Sequence, residues 1–99
     1  MKPIAHPLSP ADARLAVLAA LNAGRLVLTV HCEKQMVSRR MTSVDVVNVL
    51  RGGLYLPAEE ENGAWRYQAT TERMRVVVEI VQDGEAIQVT VVTAIRRTR

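Results

Sequence analysis

The apolar residues change period at Gly52-Gly53, and that change bounds the fold more than any other feature of the chain. Before it, apolar side chains recur at helical spacing between cap and stop signals. After it, they alternate in runs bounded by turns. Helices gathered in the first half and strands in the second describe an α+β chain. The spacing predicts helices packed on one face of an antiparallel sheet of three to four strands. Ninety-nine residues suffice for one such domain, 1–99.

In the first half, Ser9-Pro10-Ala11-Asp12 is a helix start, with Ser9 as cap, Pro10 at the first position and Asp12 at the positive end of the dipole. Leu15, Leu18 and Leu21 or Asn22 form the expected apolar stripe, and Gly24 the stop. Arg25 to Val30 reads as a short strand and His31 to Ser38 as a short helix. Thr42-Ser43-Val44-Asp45 resembles a capping box and opens a further helix. Its buried face is expected from Val44, Val47 or Val49, and Leu50.

In the second half, Leu54 to Leu56 is extended, and Pro57 with Glu59-Glu60-Glu61 reads as a surface loop. Asn62-Gly63 and Asp83-Gly84 are hairpin turns. Trp65, Tyr67 and Ala69 share one face of a strand. Arg75 to Val81 has the β-branched composition of a central strand. In a last strand, Ala86 to Ile95, the residues Ile87, Val89, Val91, Thr93 and Ile95 share a face, and Arg96 to Arg99 form a basic tail.

Composition removes several function classes. The aromatics are Tyr55, Trp65 and Tyr67 alone, so the core is aliphatic and a stacked aromatic RNA platform is hardly available. One cysteine, Cys32, excludes an internal disulfide and a cysteine-based zinc knuckle, and spacing from Met36 gives it a buried role. His6 and His31 are too few for a dedicated histidine metal site, so neither metal nor cofactor is expected. The longest apolar run, Leu15 to Leu21, falls far short of the roughly twenty residues of a bilayer span. The first residues lack a signal-peptide core, which makes a soluble cytoplasmic protein the expectation. Net charge is +3, and eleven of the thirteen basic residues are arginine, whose planar fork matches phosphate oxygens. The excess lies in residues 1–50, densest at Arg39-Arg40.

The chain has no Gly-rich phosphate loop, nucleophile elbow or HExxH. His31, Gln35 and Arg39 recur at i, i+4 and i+8, a polar stripe along one helix face. Imidazole is the side chain that ordinarily exchanges protons near neutral pH, and a guanidinium steadies phosphorane charge. Across eight residues a helix rises roughly 12 Å, so the two side chains can flank one phosphodiester. The plainer alternatives stay open: His31 as a capping or core histidine, Arg39 and Arg40 as surface charges, Thr93 as an ordinary strand residue, Trp65 as a core anchor.

The stretch His31 to Val47 resembles a small bacterial family of unknown function, with the pattern His-x(3)-Arg-Met-x(2)-Arg-x-Ile/Val-Ser/Thr-x-x-Asp-Val and a later Val-Val-Thr strand end, here Val91-Val92-Thr93. That family is grouped with the barnase–EndoU–colicin–RelE superfamily of metal-independent ribonucleases and toxins, and some members resemble MqsR-type toxins paired with an antitoxin. The resemblance spans Leu28 to Ala94 and implies a RelE-like core over 25–99 with a helical extension over 1–24. It places the family histidine on His31, its second arginine on Arg39 and its strand threonine on Thr93, and its first arginine position holds Gln35. It implies RNA cleavage by 2′-hydroxyl attack. His31 would be the acid or base, Arg39 with Arg40, Gln35 and Arg66 would hold the phosphate, and Thr93 would orient it. The expected partners are RNA and a cognate antitoxin, with no membrane. The competing readings are a non-catalytic module binding a protein or RNA, and an immunity or antitoxin-like protein using Glu59–Glu61. DNA binding through the short helices is weaker, because Ser43 to Leu50 offers few polar side chains.

Overall fold

A computed structural model describes residues 2, 3 and 6–97. Its elements in chain order are β1 (Lys2–Pro3), α1 (Pro10–Asn22), β2 (Leu26–Leu28), α2 (Val30–Ser38), α3 (Ser43–Gly52), β3 (Leu54–Tyr55), β4 (Glu59–Glu61), β5 (Ala64–Thr70), β6 (Met74–Asp83) and β7 (Ala86–Arg96). The α+β class and the helices on the sheet match the sequence reading. The sheet does not: among the described residues it has seven strands, ordered β2-β7-β6-β5-β3, with β4 also on β5 and β1 on β6. It is mixed, because β2 runs parallel to β7. The extra pieces are two or three residues long, too short to show a period. Among them is Glu59–Glu61, expected as a loop, which pairs with Ala64–Arg66 as an exposed edge strand.

Local chemistry starts each helix. Ser9 accepts from Asp12 N–H, Thr29 accepts from Cys32 N–H at 3.0 Å, and Thr42 with Asp45 closes a full capping box. The Thr29 cap ends the strand at Leu28 and starts α2 at Val30, earlier than expected.

Two helices end in the same way. After α1, Gly24 N–H reaches Leu21 O and Arg25 N–H reaches Ala20 O; after α2, Arg40 N–H reaches Val37 O and Met41 N–H reaches Met36 O. Both are Schellman stops, which place one residue in the left-handed region. That residue is glycine in α1 (φ 71°) and arginine in α2 (Arg40, φ 55°).

The core lies between helices and sheet. Ala13, Val17 and Ala20 of α1, Cys32 and Met36 of α2, and Val46, Val49 and Leu50 of α3 are buried against Val76, Val78, Ile80, Val89, Val91 and Ala94. The stripe expected in α1 is turned by part of a helical step, and in α3 Val49 and Leu50 are buried as expected while Val44 is not. Leu15 and Val44 are 65 % and 64 % exposed, and α1 instead buries Ala13, Val17 and Ala20. Helix α1 therefore contributes to the core.

Register is regular except at one bulge, where Val78 faces Val91 and Val77 faces Thr93. Val92 is the extra residue, and beyond it the faces of β7 exchange. Thr93 thus shares the face of Val77, away from the helices, and the buried residue becomes Ala94. The expected face-sharing of Thr93 with Val89 and Val91 is corrected by this bulge.

Candidate nucleic-acid interface

α2 carries the residues that the sequence singles out. His31, in its first turn, is exposed, and Gln35 one turn on brings Nε2 within 2.8 Å of His31 Nε2. Gln35 Oε1 is buried without a hydrogen-bond partner. Arg39 does not continue the helical stripe. It is the C-cap, with φ −101° and ψ 7°, and its Nη1 donates to Ala94 O at 2.6 Å. Strand β2 pairs with Val89–Val91, so among the described residues the next stretch of this β7 edge lacks a strand neighbour, and Arg39 satisfies a carbonyl there.

His31, Arg39 and Thr93 do not converge. His31 and Ser38 are seven positions apart, about 10 Å along the axis. Thr93 lies on the sheet face turned from the helices. Among the described residues, no hydrogen bond or ion pair joins any two of the three. Arg66 stands on β5, where Glu61 and Glu79 hold it at 2.9 and 3.0 Å, so two carboxylates counter its charge.

A different group does converge. At the junction of α2 and the end of β7, Ser38, Arg39, Arg40 and Arg96 line an open cleft of about 500 Å³. Arg96 Nη1 donates to Arg40 O at 3.1 Å, so Arg39 and Arg96 are both fixed by main-chain carbonyls. A carbonyl orients a guanidinium without cancelling its charge, unlike the carboxylates on Arg66. Among the described residues, no acidic side chain lines the cleft. The sequence reading named Arg39 and Arg40 but missed Ser38 and Arg96. Arg96 was legible only as part of a basic tail, of which Thr98 and Arg99 lie outside the described residues.

A second hollow of about 350 Å³ between α3 and the β5–β6 turn mixes Asp45 and Glu72 with Arg73 and Met74. Cys32 is buried, and burial pushes its thiol pKa up, with neighbouring Glu33 adding to the rise and Arg39 opposing it. Among the described residues, no group of three or more His, Cys, Asp and Glu side chains is placed to hold a metal ion, and no helix is long and apolar enough to cross a membrane.

No protein-family model, curated protein or solved structure matches the chain. The cleft's own chemistry is the guide to function.

Proposed function

We propose that this domain binds RNA through its backbone phosphates, with the Arg39–Arg40–Arg96 cleft as the contact. The carrying observation is that three arginines line one cleft to which, among the described residues, no acidic side chain contributes. Phosphate oxygens accept paired N–H donors, and the surplus charge draws the polyanion in at a distance. The arginine-rich composition and the resemblance around His31 to Val47 support RNA as the polyanion.

Binding without cleavage is the reading the geometry favours, since an acid or base must reach the atoms whose protons it moves, and His31 sits a helix length from the cleft. Metal-independent ribonuclease action is the second reading, favoured by one observation: the His31 ring is exposed at the surface, with Gln35 holding its Nε2. One experiment separates them. Purified protein is incubated with single-stranded RNA in EDTA, and both retention and fragment length are followed. The proposal expects salt-sensitive retention of intact RNA. Fragments ending in 2′,3′-cyclic phosphate that vanish in a folded His31→Ala variant would establish the nuclease, and absence of any retention at low salt would remove RNA altogether.

A further inference from the structure

Arg40 occupies a backbone position where glycine is the usual residue. Its φ of 55° lies in the left-handed region, and the matching stop of α1 uses Gly24. A side chain kept at such a position, at a cost in backbone strain, points to a task for the side chain. Arg40 lines the cleft, and among the described residues its guanidinium has no hydrogen bond or ion pair. Arg39 and Arg96 each commit one Nη1 to a carbonyl and keep their other donors.

Arg39, Arg40 and Arg96 are grouped at one spot. A protein that follows a single strand along its length arranges cations in a groove and stacks bases on aromatic rings. This chain buries Tyr55 and Tyr67 and packs Trp65 against the core. Arg66, on the sheet, is countered by Glu61 and Glu79. Three cations around one cleft suit an anion of more than one charge. An internal phosphodiester carries a single negative charge, whereas a phosphate monoester carries about −1.5 to −2 near pH 7 and presents three acceptor oxygens.

We propose that the cleft takes the phosphate monoester at the end of an RNA strand, with Arg40 as the residue that distinguishes it from an internal phosphate. This rests on the RNA-binding reading and narrows it to one class of RNA. A 5′-phosphate, a 3′-phosphate and a free nucleotide share the recognised chemistry.

The test uses one short RNA sequence in three forms: 5′-phosphorylated, 3′-phosphorylated and hydroxyl-ended. Affinities are measured calorimetrically in EDTA for the wild-type protein and for Arg40→Gly, with a nucleoside monophosphate as competitor. At least one phosphorylated form is expected to bind tenfold or more tighter than the hydroxyl-ended RNA. Arg40→Gly is expected to abolish that difference while Tm stays level or rises, since glycine relieves the left-handed strain. Competition by the mononucleotide would assign recognition to the monoester itself. Equal affinity for all three RNAs would overturn the end-recognition proposal and leave RNA binding standing. A preference that survives Arg40→Gly would overturn it too, by removing the cleft as its source. No binding of any form would bring down both.

Discussion

Tyr55 joins β3 to the end of α3 through one bond, its hydroxyl donating to Leu50 O at 2.8 Å. Burial pushes its pKa up to about 12, with Arg14 opposing the shift. The protonated phenol is the form the fold favours, so its stabilisation is complete below pH ~10 and is lost as pH climbs toward 12. Two units correspond to about 3 kcal/mol. Tyr55→Phe is expected to lose about 1 kcal/mol at neutral pH and to flatten this alkaline decline, read from urea midpoints between pH 7 and 12 in both proteins. Cys32 makes a kinetic counterpart. With its thiol buried and its pKa raised, alkylation at pH 8 should be slow in the native protein and at least ~100-fold faster in urea. Equal rates would place Cys32 at the surface. The burial of Cys32 was legible from its spacing to Met36. The backbone state of Arg40 was not, because nothing in Ser-Arg-Arg-Met distinguishes a left-handed residue from a helical one.

At the level of elements, the boundaries depend on few contacts. In α3, the Asp45 carboxylate accepts from Thr42 N–H at 2.8 Å, and Asp45→Ala should cost about 1 kcal/mol by removing half of the capping box. At the other end, a Cβ on Gly53 would stand 2.5 Å from Val49 O and 3.1 Å from Thr70 O, whereas one on Gly52 would meet nothing. Gly53→Ala should therefore cost about 1–3 kcal/mol and Gly52→Ala nothing or a slight gain, both measured by chemical denaturation. Similar losses for the two would show that the close approach of α3 to β5 is unimportant. The capping box, the helix stops and the Asn62-Gly63 turn, with φ of 53° and 81°, were all written in local chemistry. The bulge at Val92 was not. Val-Val-Thr continues a perfect alternation, and only pairing with β6 reveals the extra residue that turns Thr93 away from the helices.

Across the whole molecule, the change of period at Gly52-Gly53 foretold the segregation of helices and strands, and tertiary pairing decided the rest. β2 becomes parallel to β7 because α2, α3 and the hairpins intervene before the chain returns beside it, a long-range outcome with no local signature. The arginine cleft has the same origin. Arg39 and Arg96 are 57 positions apart, and the fold brings them together where β7 runs past the end of α2. The motif at His31 drew the sequence reading to one end of α2, while the convergent charge lies at the other. The most direct measurement is the affinity for the tighter-binding end-phosphorylated form of a short single-stranded RNA as a function of salt, in wild-type protein and in Arg40→Gly. The account predicts binding whose logarithm falls linearly with log salt, with a slope of roughly −1 to −2, and a loss of about tenfold in a variant that unfolds no sooner than its parent. Binding that ignores salt, or that Arg40→Gly leaves intact, would contradict it.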